Sequence, residues 1–349
     1  MLLRIRILNF RSIQNMDLSF EKSNNIIWKN GAWKTNVLQA IACLFQNNIS
    51  NIKIQDLLKD GENNFYVEWI FRMNDLENKL SFSYDWKNNK KLILLNGKKI
   101  PHKVLYENIL KISYFSPMSM NLFYLWPKYR REFLDDILKN IFVDYGKLWK
   151  NYENIVKNRN KVLKNICEQK SKNEEIFFWN QEFIQSAKKI YSYRIELIEY
   201  LKKNIQNIPP LFQNKNLCVD FQYISKVNLQ NIESSITDYL EKNFQRDILL
   251  ANTHIWPHVD DFDIFIEKKN IVHYASRWEM KSIILSLTLF TVEYIQQVTG
   301  FYPIILIDDL MSELDTQHIN IISEKLSKAQ IIFTSIIPLN KDNIKNINV

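Results

Sequence analysis

The sequence predicts an α/β fold in which a helical segment interrupts a chain that otherwise combines strands with helices. Residues 26–41 run from an apolar strand through a short turn into a helix with one apolar face. Residues 302–309 form a continuous apolar run that ends in two carboxylates, which is typical of a central parallel strand buried on both faces. From residue 128 to about residue 207 the apolar residues repeat with a helical period. Together these observations predict a mixed β-sheet lobe plus a central parallel sheet, with an inserted α-helical lobe.

The first part of the chain is rich in predicted strands. Residues 2–9 and 16–20 alternate charged and apolar side chains, a pattern that indicates an antiparallel pair. Asn96-Gly97 lies between two short strands and indicates a hairpin turn. The other strands predicted in this part lie at 26–27, 66–72, 80–84 and 112–115, with the hairpin at 91–99.

The middle of the chain predicts two long helices. Residues 144–168 and 174–206 would each be roughly 35–50 Å long at about 1.5 Å per residue, and Pro209-Pro210 ends the second helix. The elements predicted after them are a strand at 217–223, a helix at 229–249, a hairpin at 262–272, a helix at 277–298, a strand at 302–307, a helix at 316–328 and a strand at 330–334.

Composition limits the class of protein. No stretch of 18 or more apolar residues occurs, so we expect no membrane span. Cys43, Cys167 and Cys218 are isolated and odd in number, as expected of reduced thiols in a cytoplasmic protein. A net charge of +8 permits an acidic partner such as nucleic acid, although lysine is abundant along the whole chain.

The turn before the first predicted helix has the layout of a P-loop, G-x-x-x-x-G-K-[ST], which binds phosphate with backbone N–H groups and a helix N-terminus. In that pattern Lys34 reaches the β- and γ-phosphates of ATP, and the Thr35 hydroxyl is a ligand of Mg²⁺. Trp28 and Trp33 occupy the two positions that require glycine, often with positive φ, so the loop as written is expected to bind nucleotide poorly. The predicted nucleotide-binding residues of the loop are Trp28, Lys29, Asn30, Gly31, Ala32, Trp33, Lys34, Thr35 and Asn36.

The carboxylate pair Asp308-Asp309 fits the Walker B position of a P-loop ATPase. Asp308 would hold the Mg²⁺ shell, and Asp309 would orient or activate the attacking water. An ordinary acidic turn at the end of a strand is the alternative. Ser312-Glu313-Leu314-Asp315 follows at once and favours the ATPase, because this continuation matches the D-loop of ABC-type ATPases.

Several further segments resemble the RecF family of recombination-repair proteins, which are ABC-type ATPase heads. The resemblance covers nearly the whole chain and rests on Leu8-Asn9-Phe10-Arg11-Ser12-Ile13, Trp28–Asn36, Phe115-Ser116-Pro117, Pro127–Asp135, Trp256–Asp261, Tyr274–Lys281, Ile304–Asp315 and Phe333-Thr334-Ser335. It implies an N-terminal part of the ATPase lobe at 1–115, an inserted helical lobe at 116–215 and a C-terminal part of the ATPase lobe at 216–349.

The resemblance also implies a function. A RecF-like protein would bind ATP and Mg²⁺, form a homodimer when ATP is bound, and bind DNA at single-strand gaps or duplex junctions. With recombination mediator proteins it would help recombinase loading, and its hydrolysis would be slow and act as a switch.

The resemblance assigns roles to residues outside the P-loop. Ser276 leads the signature motif and would cap the nucleotide of the opposite subunit, and Thr334 would sense the γ-phosphate. Glu279 replaces the signature glutamine. Candidate DNA contacts are Asn9, Arg11, Arg130 and Arg131. An ion-paired helix start is an equal alternative for the arginine pair.

The tryptophans leave a second function open. Trp28, Trp33, Trp126, Trp256 and Trp278 all fall where the family has glycine, and the chain holds nine tryptophans but five glycines. Because Lys34, Ser276 and Asp308 are retained, we infer that a UGA codon read as glycine in the source organism was translated as tryptophan. If the tryptophans are genuine, the protein is instead a non-hydrolysing ABC-like DNA-binding or interaction module.

Overall fold

The structure is a computed structural model. It describes residues 1–28, 33–45, 53–101, 110–115, 121–124, 127–207, 218–254, 257, 259–308, 324–336, 338 and 344–349. They form two compact units, Met1–Met120 with Ile284–Val349 and Asn121–Ile283. Residues 216–283, which the sequence analysis groups with the ATPase lobe, fall in the second unit because the strands there pack on its helices.

Fourteen strands and nine α-helices occur in the described residues. The strands are β1 (Leu2–Phe10), β2 (Ile13–Ser19), β3 (Ser23–Ile27), β4 (Asn64–Met73), β5 (Leu76–Asp85), β6 (Lys90–Leu95), β7 (Lys98–Lys99), β8 (Ile112–Phe115), β9 (Val219–Ile224), β10 (Asp261–Ile266), β11 (Lys269–Asn270), β12 (Ile304–Ile307), β13 (Ile331–Ser335) and β14 (Lys345–Asn348). The helices are α1 (Trp33–Ala42), α2 (Asn121–Tyr124), α3 (Pro127–Ile141), α4 (Tyr145–Cys167), α5 (Glu175–Ile205), α6 (Ile232–Lys242), α7 (Phe244–Leu250), α8 (Ile271–Tyr274) and α9 (Arg277–Thr299).

The first unit contains an antiparallel sheet with the strand order β2-β1-β4-β5-β6-β7. Alternate side chains of β4 are buried, as expected of a sheet with one face against the core. Trp69 on β4 is fully buried, and its indole N–H donates to the Ile41 carbonyl oxygen at 3.2 Å. This tryptophan therefore belongs to the core.

The same unit contains a parallel sheet with the order β14-β3-β13-β12-β8. All four residues of β12 are buried, which confirms the central strand predicted from the apolar run. Because the strands are parallel, the carboxyl ends of β3, β12 and β13 meet at one edge of the sheet. That edge is where an open α/β sheet usually places its ligand site.

Gln330 ties the start of the chain to the C-terminal strands. Its side-chain Oε1 accepts from the Leu2 N–H at 2.7 Å, and its Nε2 donates to the Leu2 carbonyl oxygen at 2.7 Å. The amide also donates to the Glu21 carbonyl oxygen at 2.8 Å. These hydrogen bonds join segments 328 residues apart and satisfy three backbone groups.

The second unit is built around the two long helices α4 and α5, which pack on one another. Their bounds confirm the predicted helices at 144–168 and 174–206. A three-stranded sheet of order β11-β10-β9 belongs to the same unit. In the described part of the chain, no helix is both long and apolar enough to cross a membrane.

Two expectations differ from the structure. The helix predicted at 229–249 is divided into α6 and α7 at Asn243, where the Asn243 side-chain amide donates to the Tyr239 carbonyl oxygen at 2.9 Å. Asparagine competes for backbone hydrogen bonds in this way and weakens a continuous helix. Strand β14 was not predicted, because its polar sequence lacks the apolar signal of a buried strand. The helix predicted at 316–328 lies largely outside the described residues.

Candidate functional site

The predicted P-loop region places Lys34, Thr35 and Asn36 in the first turn of α1. Lys34 is 7% exposed, and Asn36 donates from Nδ2 to the Ser12 Oγ at 2.7 Å. Four residues of the predicted loop, Lys29, Asn30, Gly31 and Ala32, lie outside the described residues.

Trp28 and Trp33 lie at the two ends of this loop. Their rings stack with centroids 5.7 Å apart and planes inclined by 21°. Trp33 is partly buried and packs against the core of the first unit. Positive φ angles in the described backbone fall on other non-glycine residues, so Trp28, Trp33 and Trp278 do not have the left-handed conformation that the glycine pattern suggested. The effect of these tryptophans on nucleotide binding therefore rests on their bulk and stays a prediction.

Asp308 follows β12 and is the centre of a cluster of hydroxyl groups. Thr35 donates from Oγ1 to Asp308 Oδ2 at 2.8 Å, and Tyr114 donates from its hydroxyl to the same oxygen at 3.3 Å. Thr334 donates from Oγ1 to Asp308 Oδ1 at 3.0 Å. The structure thus brings together three residues predicted from the sequence, Thr35, Asp308 and Thr334. Asp309, the predicted water-activating residue, lies outside the described residues.

The donor set of this cluster fits a divalent cation such as Mg²⁺. A carboxylate oxygen and a hydroxyl oxygen 2.8 Å apart are hard ligands, and they belong to Asp308 and Thr35, the two residues predicted to hold the metal. When bound, Mg²⁺ would neutralise phosphate charge at this edge of the sheet.

Burial dominates the electrostatics around Asp308. Desolvation, followed by the charge of Asp308, holds the pKa of Tyr114 well above its usual range, so the phenol remains a hydrogen-bond donor. Burial also lowers the pKa of Arg11, while Asp56 acts in the opposite direction. The Arg11 Nε is buried, and no described group accepts a hydrogen bond from it.

Ser276 caps the N-terminus of α9 together with Glu279. The Ser276 hydroxyl donates to Glu279 Oε2 at 2.8 Å, and the Ser276 N–H donates to the same oxygen at 2.7 Å. In return the Glu279 N–H donates to Ser276 Oγ at 3.2 Å. This reciprocal arrangement is a capping box, and it leaves the Ser276 side chain exposed.

The arginine pair predicted to contact DNA has internal partners. Arg130 is 8% exposed and donates from Nε and Nη2 to the two carboxylate oxygens of Asp261, both at 2.6 Å. Arg131 donates from Nη1 to the Asp260 carbonyl oxygen at 3.2 Å. The ion-paired alternative therefore describes Arg130, and a DNA contact through either residue stays a prediction.

Asn9 lies near the end of β1 and Arg11 lies in the turn after it, and both have positive φ. Asn9 donates from Nδ2 to Glu62 Oε2 at 3.1 Å, and its carbonyl oxygen accepts from the Lys59 N–H at 3.0 Å. The Arg11 N–H donates to the Leu57 carbonyl oxygen at 2.8 Å. Their contact with DNA stays a prediction. Two further tryptophans at suspected glycine positions, Trp126 and Trp256, lie outside the described residues.

Tyr114 is the residue at this site that the sequence analysis missed. The run Ile112–Phe115 was predicted as a strand, and its tyrosine was not assigned a role. A signal was present, because a hydroxyl-bearing residue sits near the carboxyl end of a strand that is otherwise largely apolar. The pairing of β8 with β12 that brings Tyr114 to Asp308 was not predicted.

Comparisons with known proteins agree with this geometry. The model of the RecF/RecN/SMC N terminal domain family matches residues 1–347. The DNA replication and repair protein RecF of Thermoanaerobacter sp. (strain X514) is 30% identical over 335 residues, which are 93% of this chain and 91% of the relative.

Solved structures give the same result. A structure of the recombination mediator protein RecF-ATPrS in the RecFOR pathway has a TM-score of 0.86 at 26% identity, covering 100% of this chain and 96% of that one. The Smc head domain of Pyrococcus furiosus is 16% identical to this chain, with a TM-score of 0.52. The match covers 96% of this chain and 89% of the Smc chain, and it supports the fold. The predicted ABC-type ATPase head fold is confirmed, and the chain belongs to the RecF family.

Proposed function

We propose that this protein is an ATP-dependent DNA-binding protein of recombinational repair and replication restart that acts in the cytoplasm. The observation that carries the proposal is the contact of Asp308 with Thr35 and Thr334. It joins the helix after the P-loop to two strand ends, as a site for a nucleotide with its cation requires. The similar RecF structure adds support, because its name, RecF-ATPrS, includes a nucleotide.

Each residue of the site has a role in this proposal. Lys34 binds the β- and γ-phosphates, and Thr35 and Asp308 hold Mg²⁺. Thr334 senses the γ-phosphate through its link to Asp308, and Asp309 orients the attacking water. A slow hydrolysis fits a protein that uses ATP as a switch, because assembly rather than turnover is then the output.

Assembly is the second part of the proposal. Ser276 lies at the exposed N-terminus of a 23-residue helix, where backbone N–H groups and the helix dipole favour an anion. We propose that it binds the nucleotide held by a second copy of the chain, which gives a two-fold symmetric dimer in ATP. Glu279 competes for the Ser276 hydroxyl in the free protein.

DNA and mediator proteins are the proposed partners. The net charge of +8 supports binding to the phosphate backbone at single-strand gaps or duplex junctions. The RecFOR pathway named for the similar structure supports recombination mediators as protein partners that help recombinase loading.

One observation favours the alternative function. The rings of Trp28 and Trp33, at the two ends of the predicted P-loop, stack on one another. A protein with genuine tryptophans there would be a non-hydrolysing module that keeps the shape of the ATPase. Replacing tryptophan by glycine at these positions separates the two functions.

The proposed assembly is tested with Ser276→Arg in the protein that carries glycine at the five suspect positions. The arginine should leave ATP binding by the monomer intact and abolish ATP-dependent dimerisation, because its bulk blocks the approach of the second nucleotide. Sedimentation velocity with and without ATP measures both states, and Ser234→Arg, on an exposed face of α6, is the matched control. A Ser276→Arg protein that dimerises like its parent shows that the signature assignment is wrong.

A further inference from the structure

We propose that Tyr114 is a positioning residue that orients the Asp308 carboxylate for the divalent cation of the nucleotide site. This inference rests on the proposed function of that site. It adds a residue that neither the P-loop pattern nor the Walker B pattern includes.

The topology of the parallel sheet brings Tyr114 to this place. Strand β8 pairs with β12, and Tyr114 lies beside Leu306, two residues before Asp308. The backbone continues the pairing, since the Asp308 N–H donates to the Phe115 carbonyl oxygen at 2.7 Å. The Tyr114 hydroxyl therefore reaches Asp308 from a strand whose position is fixed by main-chain hydrogen bonds.

The Asp308 carboxylate is held from three sides. Tyr114 approaches Oδ2 from β8 at 3.3 Å, and Thr334 approaches Oδ1 from β13 at 3.0 Å. Thr35 approaches Oδ2 from α1 at 2.8 Å. An aspartate has a broad energy well for rotation about its Cβ–Cγ bond, so the surrounding donors decide the plane of its carboxylate.

The orientation of this plane affects cation binding more than nucleotide binding. A Mg²⁺ site demands near-ideal octahedral geometry, so a carboxylate that rotates freely binds the ion less well. In the proposed function, by contrast, Lys34 binds the phosphate groups. Loss of the Tyr114 hydroxyl should therefore weaken Mg²⁺ binding selectively.

Tyr114→Phe removes the hydroxyl and keeps the ring in β8. Tyr84→Phe is the matched control, because Tyr84 is a buried strand residue of the same unit whose hydroxyl donates to Asn89 Oδ1 at 3.2 Å. Both substitutions are made in the protein with glycine at the five suspect positions. Fluorescent ATP is titrated at a series of Mg²⁺ concentrations and in EDTA, and the unliganded proteins are melted.

The Tyr114→Phe protein should need about threefold to tenfold more Mg²⁺ for half-maximal tightening of ATP binding, the effect of losing one hydrogen bond of ordinary strength. Its ATP affinity in EDTA should equal that of the parent, and Tyr84→Phe should leave both values unchanged. Tyr114→Leu, which also lacks the hydroxyl, replaces the phenylalanine variant if that protein does not fold.

Four outcomes overturn the assignment. An unchanged Mg²⁺ requirement in Tyr114→Phe, or an equal shift in Tyr84→Phe, shows that the tyrosine does not position Asp308 and leaves the proposed function standing. A loss of affinity that is the same in EDTA shows a general packing defect. A parent that binds no ATP at any Mg²⁺ concentration refutes the proposed function, and the role of Tyr114 with it.

Discussion

Replacing five tryptophans by glycine should convert a weak ATP binder into a strong one. The changes are Trp28→Gly, Trp33→Gly, Trp126→Gly, Trp256→Gly and Trp278→Gly. Two of them remove the stacked rings at the ends of the P-loop. Both rings lie at the ends of the predicted phosphate-binding loop, and we expect them to separate when ATP binds.

The size of the effect follows from the stacked pair. An aromatic pair contributes about 0.5–1.5 kcal/mol beyond its area burial, which corresponds to about a twofold to tenfold loss of ATP affinity when it must break. Each indole also adds bulk at an end of the predicted phosphate-binding loop, since a tryptophan carries about 150–250 Å² of surface. We therefore expect the glycine protein to bind ATP at least about tenfold more tightly.

The assay pairs ATP titration by calorimetry with thermal melting of both proteins. Trp149→Gly in the glycine protein is the control, because Trp149 on α4 lies 5.2 Å from the Arg194 guanidinium and stacks on Tyr145. That substitution should cost about 3–5 kcal/mol of stability from lost packing and should not raise ATP affinity. The melting curves separate packing of the tryptophans from binding of the nucleotide.

Equal ATP affinity of the protein with the five tryptophans and the protein with five glycines would refute the reasoning. The gene provides a second check that needs no protein. UGA codons at all five positions support glycine in the natural protein, whereas UGG at any of them means that the tryptophan there is genuine.

Two other predictions concern DNA and the buried ions of the second unit. DNA binding by the glycine protein should require ATP and weaken steeply between about 50 and 200 mM salt, because neutralised phosphates release counterions; a filter-binding or anisotropy titration that shows salt-independent binding contradicts this. Asp135→Ala should destabilise by about 3–5 kcal/mol, since it leaves the fully buried Arg194 without the carboxylate that lies 2.8 Å away. The double variant Asp135→Leu/Arg194→Met should lose less stability than Asp135→Ala. Urea denaturation measures both variants, and equal losses of stability would show that the charge pair is not the cause.

The sequence predicted those parts of the site that depend on local pattern. A continuous apolar run followed by a carboxylate identifies β12 and Asp308, because burial on both faces excludes polar residues from the strand. The first turn of α1 was predicted in the same way from Lys34-Thr35 and the apolar helical face that follows. Both are short-range signals, and both are confirmed as secondary structure.

The rest depends on pairings between distant segments. Tyr114 meets Asp308 across 194 residues, and Arg130 meets Asp261 across 131. Neither contact can be read from a hydrophobic period or a motif, because tertiary packing decides which side chains become neighbours. Asn243 shows the converse, since a single side chain interrupts a helix that the apolar period predicts as continuous.

The first unit is formed by two separate stretches of the chain, and this sets an order of folding during synthesis. The second unit, Asn121–Ile283, is one continuous stretch and can close as soon as it leaves the ribosome. The parallel sheet cannot, because β3 pairs with β13 and β14, which are synthesised about 300 residues later. Until Gln330 emerges, the Leu2 backbone also lacks its side-chain partner. Strand β3 therefore stays unpaired for most of the synthesis of the chain. Truncation before β13 should leave the nucleotide site unformed, whereas the second unit should still fold.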